Sequence, residues 1–528
     1  MPWAALPVEL IVRILEALDP HALLNCRRVI RLLKSVVDET VTLQYHIALH
    51  SSGMVDGPPG LLSPSERLSL LRSYETSWKN MDWNEHTSLP VPDGSLWELC
   101  GNVWAHSRGD NAIDFVQIPS RLRGIPLCQW TLRLDFPLRD FCMDPSQDLL
   151  VTIGRATSAS LHYQTRLLTL STGEEHRLAR DTATLEYLPA GPRIHWSYSI
   201  RISGDYVAIL FINNGDGGDD DDEGDGNELV VWNWKTGVQN LRVTLVCMIS
   251  FIFLGNDFIL VSTSTSPPLD YEQPSLLLYS LDQTHVRGVE TPNPHLLRFL
   301  FPTRPPTYGH SVISLTSDPS PGWSTSPSLQ VPFQNPRDER IIAFSRFYRG
   351  FPSSETFLIP ASTLLEHISD TKIEGEGCEP LDIQWKSWGP TSPVPLQGRW
   401  SVFTCFVFGM RHILPGAALR DDRQVGIVRD LCPRRCMRAS EEEREESNAL
   451  HYAMKSKEPY PRSIVKCVNL PRSIDVSSDV KLMISEDGIV AFEVSCMRGW
   501  VSMVAQLMPS IGLQHDTTGN KQIHFLTF

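Results

Sequence analysis

Four short stretches constrain this chain more than any other feature: "DPSQDLLVTIG" at 144–154, "ISGDYVAILFI" at 202–212, "FLGNDFILVST" at 253–263 and "ISEDGIVAFEV" at 484–494. Each sets an aspartate-bearing turn just ahead of an apolar run of strand-forming residues. A later run in several units ends in a turn of its own, as in "RLLTLSTGE" (166–174), "ELVVWNWKTG" (228–237) and "SLLLYSLDQ" (275–283). Asp148 and Asp205 are 57 residues apart, Asp205 and Asp257 52. A unit of about 40–50 residues with four strands, lengthened by loops, is a propeller blade, and a ring of blades leaves only short, protected edges. Residues 91–528 hold six or seven such units. Pro-rich segments ("PTRPPTYGH", 302–310; "TSDPSPGWSTSPS", 316–328) interrupt the regularity after residue 290, so β-sandwich domains are the alternative.

The first 90 residues have another character. Leu10, Ile11, Ile14, Leu15 and Leu18 recur at helical spacing, and Pro7 suits the first helical position. Asp19 is a natural N-cap and Pro20 a natural first residue for a second helix carrying Leu23, Leu24 and Cys26. Val29, Leu32, Leu33, Val36 and Val37 make a third stripe. "VTLQYHIAL" at 41–49 alternates like a strand, but its helical neighbours favour helix. Ser63–Pro64–Ser65–Glu66 is a capping box for one more helix with Leu68, Leu71, Tyr74, Trp78 and Met81 on one face. The expected organisation is α+β: a small all-α module at 1–50, a loop and linker helix at 51–90, and a large all-β domain at 91–528 with an acidic loop insertion at 213–228. Helical periodicity returns only at 361–368.

Several function classes are excluded or disfavoured. A net charge of −14 argues against nucleic-acid binding through the overall field. The basic run "CPRRCMR" (432–438) is followed at once by "EEEREE" (441–446) and reads as a solvated loop of mixed charge. The 11 cysteines form no CxxC pair, which points to reduced thiols in the cytoplasm and/or nucleus. The apolar run 243–261 is broken by Gly255, Asn256 and Asp257 and reads as two strands and a turn, so no membrane span is expected.

No residue constellation calls for a cofactor or a metal. His46 and His50 are four apart but lack the glutamate of a zincin motif. "NNGDGGDDDDEGDGNE" (213–228) begins like a calcium loop, yet its twelfth position is Val230, where a bidentate glutamate is required. Trp232, Trp234, Trp385, Trp388 and Trp400 could line a sugar site but read better as blade packing. The turns at Asp148, Asp205, Asp257 and Asp487 read as structural and should share one end of the ring. The longer loops at 302–330 and 371–398 are then the expected specificity loops.

The opening "LPVELIVRILEALDPHALLNCRRVIRLLKSVVDE" (6–39) resembles an F-box in Leu6–Pro7, Glu9, Ile14–Leu15, Leu18–Asp19–Pro20, Leu23–Leu24, Cys26–Arg27–Arg28–Val29 and Leu32–Leu33. Its sequel resembles the segment after the box in many fungal F-box proteins. Ile30–Arg31 and Lys34–Ser35 depart from the family, which often has a second cysteine and an aromatic residue there. The resemblance implies a non-catalytic substrate receptor of a Skp–cullin–F-box ubiquitin ligase: a Skp-type adaptor, and through it a cullin, held by Leu6, Pro7, Leu10, Ile14, Leu23, Leu24 and Val29, and an unknown substrate protein held by the β domain. The short helices fit, because a partner would complete their apolar surface. Two other readings stand: an F-box scaffold outside any ligase, and a propeller enzyme with a helical appendage, which predicts perturbed carboxylates or histidines on the ring axis.

Overall fold

The structure, a computed structural model, describes residues 6–528 apart from 92–93, 95, 156–162, 180–182, 189–195, 214–225, 246–247, 265–272, 283–294, 303–310, 349–353, 371–379, 391–404, 417–423, 454–462, 475–479 and 494–521. Most of the acidic run, and Trp400, therefore lie outside the described residues.

Four helices open the chain: α1 (Val8–Glu16), α2 (Pro20–Val29), α3 (Arg31–Glu39) and α4 (Val41–Ser52). Pro7 is the N-cap of α1 rather than its first residue. Asp19 caps α2 by accepting from the backbone N–H groups of His21 and Ala22 at 2.9 and 3.0 Å. Ile11, Leu15, Leu23, Leu33, Val36, Val37 and Leu43 form the module's own core. The longest helix of this region, α5 (Pro64–Asn80), starts at the Ser63–Glu66 capping box, both halves of which are made.

Seven sheets follow in a ring, blade 1 (97–133), blade 2 (138–187), blade 3 (196–245), blade 4 (248–300), blade 5 (311–360), blade 6 (407–469) and blade 7 (480–527 with 85–90), and all-β architecture with seven blades is the fold of the rest of the chain. The central strand of blade 3, Tyr206–Asn213, explains why its sequence is apolar throughout. Val207, Ile209 and Phe211 pack with Leu149, Val151 and Ile153 of blade 2. Ala208, Leu210 and Ile212 pack with Phe251 and Phe253 of blade 4. A strand buried on both faces has no polar side to show. Ring closure joins the first and last strands of the β domain: Glu85–Pro90 pairs antiparallel with Gln522–Thr527 as the outer strand of the last blade. Residues 85–90, expected as linker, thus belong to the ring.

One backbone hydrogen bond recurs in every blade. The residue just before the second strand accepts from the N–H of the residue just after the third: Asn102 from Ile118, Asp148 from Leu170, Asp205 from Trp234, Asp257 from Leu281, Arg340 from Ala361, Met410 from Leu431 and Asp487 from Phe528, at 2.7–3.0 Å. These positions share one end of the ring, as the aspartates predicted. Side chains add to the brace in places: Asp148 accepts from the Ser171 backbone N–H at 2.8 Å, and Asp205 pairs with Lys235 at 2.6 Å.

Two further helices, α6 (Ala361–Asp370) and α7 (Trp385–Trp388), cover the cleft between blades 4 and 5, with Leu364 and Trp388 packed on Phe299, Phe301 and Phe344. Trp232 and Trp234 are buried where blades 2 and 3 pack together, and Trp388, on α7, is buried against blades 4 and 5. The run 432–446 is not a solvated loop. It forms α8 (Pro433–Arg438) and the start of α9 (Glu441–Ala453). Arg435 on α8 donates to the Ser52 carbonyl at the end of α4, at 2.7 Å, because the last carbonyls of a helix lack partners of their own.

Candidate functional site

Two faces of the helical region differ in what covers them. On one side, α4 and α5 lie on the ring end that carries the seven braced turns. The Tyr74 hydroxyl donates to the Glu486 carbonyl at 2.5 Å, and Trp78 stacks on Phe528 with ring centroids 4.2 Å apart. Arg67 donates to Asp56 at 2.7 Å and to the Pro332 carbonyl at 3.1 Å, and Val55–Asp56 pairs as a short strand with Phe333–Gln334. Tyr45, Leu49, Leu71, Tyr74 and Trp78 share one apolar core with Phe333, Phe408, Ile489 and Phe528 of the ring.

The segment 317–335 is part of this junction. It crosses the ring end from blade 5: the Gly322 N–H donates to the Ser203 hydroxyl at 3.2 Å, the Asp318 carbonyl accepts from Gly409 at 2.8 Å, and Trp323 packs on Phe408. Gly322 has no room for a side chain, since a Cβ there would stand 2.3 Å from the Gly204 nitrogen. Beneath it, fully buried Arg123 bridges Glu486 at 2.7 Å and Asp487 at 2.6 Å. Ser120 donates to Asp487 at 2.9 Å, and Thr325 and the Asn335 backbone donate to Glu486 at 3.1 and 2.8 Å. The expectation that 302–330 is a specificity loop fails for residues 317–325, which form a plug held against the ring end, whereas Pro327, Ser328 and Gln330 beyond it are exposed. Of 371–398, the described residues 381–388 add a parallel strand to blade 4 and the packing of α7.

The other face of the helical module is uncovered. Leu6, Pro7, Leu10, Ile14, Leu24 and Val29 are all exposed, Val29 at 71%. Leu23 is the exception among the predicted adaptor contacts. It is fully buried in the module's core, whereas the adjoining Leu24 is exposed, and it cannot offer a surface. Val8 and Ile30, which the sequence reading passed over, are exposed beside the others in the chain. Seven of the seventeen exposed large apolar side chains among the described residues fall within 6–30. The available signal was α1 itself: Ile11 and Leu15 face inward, Leu10 and Ile14 outward, so the helix is apolar on two sides and calls for two covers.

Residues 3–50 match the family model described as F-box-like. The chain opens with an F-box-like domain. A seven-bladed ring follows it. No curated protein matches the chain in sequence. Among solved structures, the tricorn protease is similar over 77% of this chain at 11% identity, with a TM-score of 0.35; the chain spans 33% of that protein's length. The β-propeller domain of the Trilobed protease from Pyrococcus furiosus is similar over 68% of this chain and 78% of its own, at 9% identity and a TM-score of 0.31. A Synechocystis apocarotenoid oxygenase in cobalt-substituted form is similar over 50% of this chain and 59% of its own, at 10% identity and a TM-score of 0.29.

The ring axis does hold perturbed carboxylates. Burial pushes Glu98 up to about 8, with Asp318 nearby adding to it, and burial pushes Asp140 up to about 7. Asp318 is raised by burial too, against the pull of Arg201 at 3.8 Å. The cavity beside Glu98, Arg201 and Asp318 measures ≈ 40 Å³, against about 30 Å³ for one water in the liquid. It has room for solvent. Among the described residues no three His, Cys, Asp or Glu side chains cluster as metal ligands, and no helix is long and apolar enough to cross a membrane.

Proposed function

We propose that this chain is the substrate-recognition subunit of a Skp–cullin–F-box ubiquitin ligase, working in the cytoplasm or nucleus, with ubiquitin transfer left to other subunits. The observation that carries the reading is the uncovered apolar face of the F-box-like domain, Leu6, Pro7, Leu10, Ile14, Leu24 and Val29, on a module whose opposite side is fastened to the ring. A helical module with a finished core and a second apolar face needs a second protein to cover it. The Skp-type adaptor is the partner that an F-box-like match supplies.

The fastened junction supports a receptor role as well. A ligase must hold its substrate at a fixed offset from the adaptor, and the plug, the buried Arg123 bridge and the Trp78–Phe528 stack would hold that offset. Substrate recognition is then assigned to the ring end away from the helices. The second and third strands of each blade are joined there, at Asn213–Asn227, Thr263–Ser275 and Glu493–Gln522 among others.

Co-purification of a cullin tests the reading against a scaffold role. The intact chain should bring down adaptor and cullin together, and a Leu6→Ala, Pro7→Ala double variant should bring down much less of both, since burying one leucine contributes about 1.5–3 kcal/mol. Adaptor capture without any cullin would favour the scaffold.

A further inference from the structure

A second cavity lies between α5, α8, α9 and blade 6, and it measures ≈ 390 Å³, within the range of about 300–1,000 Å³ that ligand pockets occupy. Its charge is opposite to that of the protein. Six cationic side chains line it, Arg72, Lys79, Arg411, Arg435, Arg438 and Lys466, against the three acids Glu75, Asp430 and Glu443, in a chain whose net charge is −14.

The acids do not neutralise this surplus. Arg435 holds Asp430 through two hydrogen bonds of 2.6 and 3.0 Å, and Arg438 pairs with Glu75 at 3.0 Å. Glu443 is shared between Lys466 at 2.9 Å and Lys79 at 3.2 Å. Arg411 reaches Asp430 only at 3.6 Å and lies over the Trp78 ring at 3.9 Å from its centroid. Arg72 has no acidic partner among the described residues. Three positive charges therefore remain over. The acids respond to that field. Burial raises Asp430, yet Arg435 and Arg411 bring it below the usual carboxylate range; burial raises Glu443 as well, yet the Ser440 backbone N–H and Lys466 bring it to about 2. Trp78, Met81 and Val428 give the cavity an apolar wall.

We propose that this cavity binds a small, multiply charged oxyanion, a phosphate ester or a polycarboxylate with an apolar portion. The guanidinium fork suits both anions, and a partly enclosed site makes each charge count for more than it would in open water. The cavity walls come from the linker helix α5 on one side and from the ring with α8 and α9 on the other. A bound anion would cross-link the two, so the ligand would stiffen the joint that carries the F-box-like domain. This inference stands on the cavity alone and does not rest on the ligase reading.

The test is thermal unfolding of the full chain in pyrophosphate and, separately, in citrate, with ionic strength matched by sodium chloride to remove general screening. Saturable stabilisation by pyrophosphate alone identifies a phosphate site, and by citrate a carboxylate site. The exposed pair Arg72→Ala, Lys79→Ala should weaken the effective anion at least tenfold without lowering the midpoint in chloride by more than a few degrees, and Lys466→Gln should weaken it as much from the ring side, with the midpoint in chloride measured separately because Lys466 also holds Glu443. No saturable effect of either anion, or an equal effect on the wild type and both variants, would overturn the proposal.

Discussion

Helices α1–α3 and helices α4–α5 are built from similar residues and have been finished in different ways. Both groups present apolar side chains on more than one side. In α4 and α5 the second side is covered within the chain, by Phe333, Phe408 and Phe528 of the ring. In α1–α3 it is left in water, as Leu10, Leu24 and Val29. An apolar face kept exposed in one group and buried in its neighbour is informative, because a fold that buries one could bury the other. The comparison separates a joint closed within the chain from an apolar face left open.

The strongest way to break the joint is at Arg123. Arg123→Met would leave Glu486 and Asp487 buried without their cation, and removing one partner of a buried pair costs about 3–5 kcal/mol. The chemical-denaturation midpoint of the ring should fall accordingly. A small shift would mean that Ser120, Thr325 and Asn335 suffice to hold the two acids.

Adjoining leucines sharpen the comparison. Leu23→Ala opens a hole in the module's core and should cost about 2–5 kcal/mol of its stability. Leu24→Ala removes an exposed side chain and should change stability by less than about 0.5 kcal/mol, while weakening adaptor capture. Denaturation followed by an α-helical signal, alongside an adaptor-capture assay, measures both. Equal stability losses would show that the outer face is packed.

How much of the fold was legible in the sequence depends on how local each feature is. The capping box at Ser63 and the Asp19 cap involve residues within three or four positions and were read correctly. The aspartate turns were readable where aspartate stands, but the brace is a backbone bond, and blades 5 and 6 place Arg340 and Met410 there, so the repeat faded to the eye while the structure kept it. Leu23 and Leu24 look alike in sequence, and only packing tells them apart. The outer strand of the last blade, "EHTSLP" at 85–90, has few strand formers and pairs with residues more than 430 positions away, beyond any local pattern. The same holds for 317–325, part of the segment 302–330 that was expected to be a specificity loop, and for α8, whose role depends on meeting the end of α4.

On the ring axis a pH effect is expected. Glu98 and Asp140 are held protonated by burial in the folded chain at pH values where the unfolded chain has ionised them. Their contribution to stability is full below about pH 4 and is lost as pH rises through about 7 to 8. Glu98→Gln should flatten the fall in melting temperature between pH 5 and 8 and raise it at pH 8. An unchanged pH profile would show that Glu98 is ionised and solvated in the fold.

The smallest effect is expected at the ring end away from the helices. The segment 213–228 is not all loop, because Asn213 ends one strand and Asn227 and Glu228, both buried, begin the next. Replacing only 214–225, which carries no apolar residue, by a short Gly-Ser turn should leave the melting temperature nearly unchanged, since loop entropy varies slowly with length. A drop of many degrees, or saturable stabilisation by micromolar calcium, would show a structural site in the acidic run.

The central claim is that the outer face of α1–α3 exists to be covered by an adaptor while the inner joint stays closed. Calorimetric titration of a Skp-type adaptor into the full chain and into a Leu10→Asp, Leu24→Asp variant tests it most directly, with the unfolding midpoint recorded for both. The account predicts saturable binding to the full chain, a loss of at least a hundredfold in the variant, and midpoints that agree closely. An adaptor that does not bind the full chain, or binds the variant as tightly, would contradict it.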